Sequence, residues 1–370
     1  MKAKRVSRRQ FIQVAGTAVV AGSVGTAGVA MAAPEMAVAA KVAAVSPAVV
    51  KAAKTFRNTG QTPSGWDADV IVVGTGGAGL VAAIWAADTG AKVLQLEKTD
   101  ASGGCWMVSG GSSSAAVTRI QLENDSIDDS AELFYKDCMK MGGYKSDSEI
   151  LKWHTESASL AVDWLDSLGA YADRTPQPDI YQPPFTVQRT YSADGGGKGF
   201  YKVVQAEHQK RVDRGDVKVM MQTRATKLLV EDGRVVGLTA EDAAGKSSEL
   251  RAGAVILATG GYTNNVDLVK KYNYPQAVST ALPHCTGDGH IMCEEVGAAF
   301  TDMDYLPPYL GGVADPETPG KPLFSVNMNK YPGAIWVDLN GQRVAPEDIG
   351  SLHDTAKHAL AAAPESTLVV

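Results

Sequence analysis

Apolar and polar positions along the chain fall into runs of distinct period. The first run, Phe11 to Ala33, carries no charge and is rich in Ala, Gly, Val and Thr. Residues 33–65 are a low-complexity stretch of Ala, Val, Lys, Pro and Thr, read as a linker. Order is predicted to begin at Trp66. DADVIVVGTGG is a short β-branched run that ends in glycines, the pattern of a buried strand. Small and apolar residues from Ala78 to Thr89 predict a helix, and Lys92 to Glu97 a second strand. Helical patterns recur at about 130–141, 148–168 and 198–214, with a Pro/Gln/Thr/Gly-rich loop over about 170–197. VKVMMQ, ATKLLVEDGRVVGLTA and GAVILATGG read as β segments, the second folding back at Asp232-Gly233. A further helix is predicted over about 288–297. From about 310 the composition shifts to Pro and Gly, which places a domain boundary there.

The uncharged run near the start has basic flanks. Lys2, Lys4, Arg5, Arg8 and Arg9 precede it, and Ala30-Met31-Ala32 offers a small-x-small cleavage pattern. Two readings stay open. The run is long enough to anchor the chain in a bilayer. Its many Gly, Ala, Ser and Thr make it only weakly apolar, which favours cleavage after residue 32. The string SRRQFI resembles a twin-arginine signal. That resemblance implies the twin-arginine export machinery as a partner and an already folded cargo. It implies a place in the periplasm or on the outer face of the cytoplasmic membrane.

Charge narrows the function. The formal net charge is −6, and the leader holds only basic residues, so the remainder is more acidic still. Nucleic acid, whose phosphates need a basic face, is excluded as a partner. The cysteines, Cys105, Cys138, Cys285 and Cys293, form no CxxC pair, no haem attachment and no zinc spacing, so no metal site is predicted. A protein folded before export does not depend on disulfides, and these residues are expected as buried, small apolar side chains.

The chemistry sits in GTGGAG, with Gly74, Gly76 and Gly79 between a strand and a helix. The first glycine permits a tight turn, the second lets the backbone approach a pyrophosphate, and the third lets helix and strand pack closely. The helix N-terminus then presents free N–H groups to phosphate. Glu97 closes the next strand, where a carboxylate can grip a ribose diol. The spacing alone does not separate NAD from FAD. Later segments add SGGCWMVSGGSSSAA, with Gly103, Gly104, Ser109, Gly110 and Gly111, then GAVILATGGY, then TGDG at Thr286–Gly289.

In this order the segments resemble the fumarate reductase/succinate dehydrogenase flavoprotein family, in particular its soluble, exported flavocytochrome-type and urocanate-reductase-type members. The resemblance implies an α/β fold: a Rossmann-like FAD-binding domain with β-rich insertions, plus the start of an α+β capping domain. The domains are then a signal at 1–32, a linker at 33–65, the FAD-binding domain at 66–310 and a partial capping domain at 311–370. FAD would be held by Gly74, Gly76, Gly77, Gly79, Glu97, Lys98, Gly103 and Gly104. Ser109, Gly110 and Gly111 would pass near the flavin, and Ala225 would meet the adenine through its backbone. Thr259, Gly260 and Asp288 would complete the site.

The substrate motifs depart from the family. Its substrate-binding histidine falls at Tyr309 in DMDYLPPY, and its acid arginine at His353 in PEDIGSLHD. The family's relay glutamate is matched loosely by Asn327. Tyr309 and His353 are the candidate catalytic residues, each with an alternative. Tyr309 is a proton donor or an aromatic wall. His353 is an acid suited by its neutral-range titration, or a surface residue beside a Ser351/Asp354 helix cap. His284 and His290 flank TGDG and either pack or face the flavin, with packing favoured; Gly195–Gly197 is either a loop hinge or a site for an anionic substrate group, with the hinge favoured.

The resemblance implies an exported FAD-dependent oxidoreductase that reduces the C=C bond of a small unsaturated organic substrate. Electrons would come from a separate envelope cytochrome or flavoprotein. Two alternatives stay open: oxidation of a saturated substrate, as in ketosteroid dehydrogenases, and a truncated flavin-binding fragment without turnover. The closing STLVV reads as a strand just entered, and a missing C-terminal segment is expected from the family's longer cap.

Overall fold

Val70 and Val72 face one side of the first strand, Ile71 and Val73 the other, and all four are buried. A strand apolar on both faces belongs in the middle of a covered, largely parallel sheet. The structure, a computed structural model, describes residues 64–124, 128–178, 185–272, 281–303 and 305, with short pieces at 313–314, 322–324, 335–338, 340–343 and 368–369. The predicted leader, the predicted linker as far as residue 63, Asn327, Tyr309 and His353 lie outside the described residues.

The chain runs through β1 (Ala68–Val73), α1 (Gly77–Asp88) and β2 (Val93–Leu96). Next come β3 (Ser112–Ser114), α2 (Arg119–Glu123), α3 (Ala131–Met141), α4 (Ser148–Ser167) and β4 (Thr190–Ser192). Then follow α5 (Gly197–Asp213), β5 (Val217–Met220), β6 (Arg224–Glu231), β7 (Arg234–Glu241), β8 (Ser247–Leu257), α6 (Val266–Lys271) and α7 (Asp288–Glu295). One six-stranded sheet has the order β5-β2-β1-β8-β7-β6. Strands β5, β2, β1 and β8 are parallel, while β7 and β6 run antiparallel as a meander. The fold is therefore the expected α/β architecture with a β insertion.

Helix α1 is apolar all round because it is covered on both sides. Its Ala83 and Ala87 lie on Val70, Val72 and Val93 of the sheet. Leu80 and Ile84 meet a helical layer through Val162, Leu165, Phe200 and Val204. The opposite sheet face is closed by Leu94, Leu96, Leu228, Leu238 and Met292. Between β6 and β7, Asp232 and Gly233 both have positive φ, 50° and 73°, which is the type I′ turn that Asp-Gly favours.

Several features were not in the sequence pattern. The 170–197 stretch is not simply a loop: it carries β4, which pairs antiparallel with β3. Its Ser and Thr side chains pair across the strands, as Ser114 Oγ does with Thr190 Oγ1 at 2.9 Å, so no apolar alternation marks it. Strand β8 starts at Ser247, ahead of the apolar run, because its polar first half pairs with β7 at the edge of the core. Helix α6 is too short for a period and is set by its cap, Asn265 Oδ1 accepting from Leu268 N at 3.1 Å. Near the end of the chain, Leu368–Val369 pairs antiparallel with Trp336–Val337, at the strand read in STLVV. Among the described residues no helix is long and apolar enough to cross a membrane.

Candidate cofactor site

The glycines of GTGGAG occupy three different environments. Gly74 turns the chain at φ +108°, and a Cβ there would lie 2.4 Å from the Ala258 carbonyl oxygen. A Cβ on Gly79 would lie 2.0 Å from the Gly74 carbonyl oxygen, so this glycine sets the contact between α1 and β1. Gly76 differs: its Cβ would meet only the Gly104 Cα, at 3.9 Å. Gly76 also bridges to Gly103, and the Gly103 N–H donates to the Thr75 carbonyl at 3.0 Å. Two side-chain-free backbones thus face each other at the start of α1. No side chain caps that helix, and no acidic residue stands in its first turn, so its N–H end is left for an anion.

Four other segments converge here. Glu97 ends β2 and accepts from Thr75 N, Thr75 Oγ1, Thr99 N and Thr99 Oγ1 at 2.8 to 3.0 Å. Burial pushes the Glu97 carboxyl up, but these bonds outweigh it and hold the group below its ordinary value, as a carboxylate. Lys98 Nζ donates to Thr286 Oγ1 at 2.8 Å and Asp288 Oδ2 at 3.0 Å. Asp288, the first residue of α7, also takes a two-pronged contact from Arg224 at 2.9 and 3.0 Å. Burial opposes its charge, yet Arg224, Thr286 and Lys98 bring its carboxyl down to about 2. The TGDG turn rests on the end of β8: Gly287 N donates to the Gly261 carbonyl at 3.1 Å, and Gly289 packs on Thr259. Gly260 and Gly261 have open space where side chains would stand.

The sequence-predicted positions therefore fall into groups. Gly74, Gly76, Gly79, Gly103, Gly104, Glu97, Lys98, Thr259, Gly260 and Asp288 cluster at one end of β1, β2 and β8. Gly77 is covered by the Trp106 ring, which a Cβ would meet at 2.4 Å. Ser109–Gly111 lies a step further on, against Gly196 and Gly197. A Cβ on Gly111 would be 2.1 Å from Gly196, and Ser109 O accepts from Gly197 N at 3.1 Å. Ala225 sits buried on the edge strand β6, opposite Ala240. His290 packs between Phe300 and Tyr262, as expected of a packing residue.

Sequence reasoning missed the supports. Thr75 and Thr99 orient Glu97, Arg224 shares Asp288 with Lys98, and Gln95 holds the loop from below with Nε2 2.8 Å from the Gly74 carbonyl. Thr75 stands inside GTGGAG and Thr99 beside Glu97-Lys98, so proximity to the motif was their signal; Arg224 and Gln95 had none. The cysteine expectation needs correction: Cys285 is buried, but Cys105 is exposed and Cys138 and Cys293 are intermediate. Cys105 sits on the short turn after Gly104, where the chain hugs the loop surface rather than the core.

A family model described as FAD binding domain matches residues 69–366. The chain belongs to this FAD-binding family. It is 34% identical over 295 residues to urocanate reductase of Eggerthella lenta, covering 78% of this chain and 47% of that protein. The open conformation of a flavocytochrome c3 fumarate reductase superposes with a TM-score of 0.68 at 27% identity, covering 82% of this chain and 53% of that one. A 3-ketosteroid-Δ4-(5α)-dehydrogenase from Rhodococcus jostii superposes at 0.64 with 26% identity, covering 83% and 67%. The chain spans about half the length of the curated relatives it matches. The cofactor is FAD, and the residues present fit it. The uncapped α1 end and the bare backbones of Gly76 and Gly104 suit a pyrophosphate, and the ionised Glu97 suits a ribose diol.

Proposed function

We propose that this chain is an exported FAD-dependent oxidoreductase that reduces the C=C bond of a small unsaturated organic substrate. The observation that carries the reading is the convergence of four glycine-bearing segments, Gly74–Gly79, Gly103–Gly104, Thr259–Gly261 and Thr286–Gly289, on one end of the parallel strands. Likeness to a urocanate reductase and a flavocytochrome c3 fumarate reductase supports the direction of the chemistry.

FAD, when bound, would supply the hydride chemistry needed at one alkene carbon. The chain's residues do the rest. Gly76, Gly77, Gly103 and Gly104 hold the pyrophosphate by backbone contact, and Glu97, fixed by Thr75 and Thr99, holds the adenosine ribose. Ser109–Gly111 would line the flavin end of the site, and Ala225 would meet the adenine through its backbone. Lys98, Thr259, Gly260 and Asp288 close the site. Tyr309 and His353 are the proposed proton donors to the other alkene carbon. A separate envelope cytochrome or flavoprotein supplies the electrons, and the Arg8-Arg9 pair sends the folded, FAD-loaded protein through the twin-arginine machinery. Residues 66–310 form the FAD-binding unit and 311–370 the start of the substrate cap.

A second reading is dehydrogenation of a saturated substrate, favoured by the likeness to the ketosteroid dehydrogenase. One anaerobic assay separates them. Oxidation of a reduced viologen dye by enoates such as fumarate or urocanate supports reduction. Dye reduction by ketosteroids, with no response to any enoate, overturns it.

A further inference from the structure

Cys105 Sγ and Cys285 Sγ lie 3.5 Å apart although 180 residues separate them in sequence. Neither is in a disulfide. Cys105 follows Gly104, the residue that faces Gly76 across the cofactor cradle. Cys285 precedes Thr286 and Asp288, which bind Lys98. The two thiols therefore stand where the loop after β2 meets the turn before α7.

We propose that Cys105 and Cys285 are a reversible disulfide site that clamps these two segments over the cofactor, closed by exchange with a low-molecular-weight disulfide of the glutathione class. Closing the bond shortens the sulfur separation to about 2 Å. Cys105 is exposed and Cys285 is 4% exposed, which sets the order of events. The Cys105 thiolate attacks one sulfur of glutathione disulfide, breaks its S–S bond and releases one glutathione. The Cys285 thiolate then attacks Cys105 Sγ, and the second glutathione leaves. The two protein thiols are oxidised by two electrons, glutathione disulfide is reduced, and both protons end on the released glutathiones. Burial and the neighbouring Cys105 push the Cys285 thiol up to about 11, so Cys105 is the first to react. Lys98 is the cation that faces Cys285 and favours its thiolate in the second step.

The test uses the full chain, purified with its flavin, and needs no turnover. One sample is equilibrated with glutathione disulfide and one with dithiothreitol. Both are alkylated, digested and mapped by mass, and flavin release from each is followed by fluorescence. The proposal expects a peptide pair joined through Cys105 and Cys285 only in the oxidised sample. It expects flavin release about tenfold slower there, because the loops are held in their bound arrangement. C285S should trap glutathione on Cys105, and C105S should take up none at Cys285. A stable glutathione adduct on Cys105 of the unaltered protein, or no oxidation at either residue, overturns the site. A joined pair with unchanged flavin release overturns the clamp.

Discussion

Gln95 joins His208 to the loop that opens the cofactor site. Its Nε2 donates to the Gly74 carbonyl at 2.8 Å, and its Oε1 lies 2.7 Å from His208 Nε2. The bond to Gly74 orients the amide, so His208 carries its proton on Nε2. Both side chains are buried, and His208 Nδ1 has no hydrogen-bond partner among the described residues. Burial and the nearby Arg211 bring His208 down from 6.5 to about 4. As pH falls from 6.5 towards 4, the unfolded chain takes up a proton that the folded chain refuses. Stability is thus full above the upper value and falls through this window, by about 3 kcal/mol. H208Q can still bond Gln95 and should lack this dependence. Urea unfolding of both proteins at neutral and mildly acid pH reads the difference, and equal acid loss in the two contradicts the assignment.

Gln95→Leu should act on the same link differently. It leaves the Gly74 carbonyl and His208 Nε2 without their buried partner, a loss of about 1–3 kcal/mol. Flavin affinity should fall with it, because Gly74 sets the turn. Thermal unfolding with and without added FAD checks both effects.

Gly76 and Gly79 should fail in opposite ways. A methyl at Gly76 has room in the protein, so G76A should fold while binding FAD more weakly, and G76V should fold without FAD. A methyl at Gly79 meets the Gly74 carbonyl at 2.0 Å, so G79A should lose fold stability whether or not FAD is present. Circular dichroism and flavin absorbance on the same samples distinguish the two. A colourless, unfolded G76A would contradict the assignment of Gly76 to the ligand side.

Arg189 holds the insertion between β2 and α5. Its guanidinium is fully buried, with Nε and Nη2 on Asp129 at 3.0 and 2.7 Å and Nη1 on Asp137 at 2.5 Å. Phe134 and Phe185 flank it at 5.0 Å. R189M strands the buried Asp129 carboxylate and takes the cation from the partly exposed Asp137, and should cost about 3–5 kcal/mol. Denaturant midpoints of the two proteins measure this, and a change below about 1 kcal/mol would show that the charges escape to water.

The parts of this fold with strong local signals were readable from the chain. GTGGAG marks the turn because only glycine tolerates Gly74's φ and Gly79's contact, and Asp232-Gly233 marks its hairpin for the same kind of reason. Strand β1 shows because both its faces are buried. What was hidden depends on distant partners. Nothing near Gln95 or His208 announces their contact across 113 residues, and Arg189 reads as an ordinary surface arginine until Asp129 and Asp137 are brought to it. The β3–β4 pair is short and polar, so its pattern matches a loop.

Export has its own test. Replacing Arg8 and Arg9 by lysines keeps the charge and should leave the precursor in the cytoplasm. Fractionation followed by immunoblotting reads the outcome, and unchanged export would assign the chain to another route.

The most direct test of the central claim is a single turnover. The FAD-loaded protein is reduced anaerobically with one equivalent of dithionite, then mixed in a stopped-flow instrument with a panel of α,β-unsaturated carboxylates while flavin absorbance is followed. The account predicts that at least one of them restores the oxidised flavin spectrum and yields one saturated product per flavin. A flavin that stays reduced with every enoate, in protein that binds FAD one to one, would contradict it.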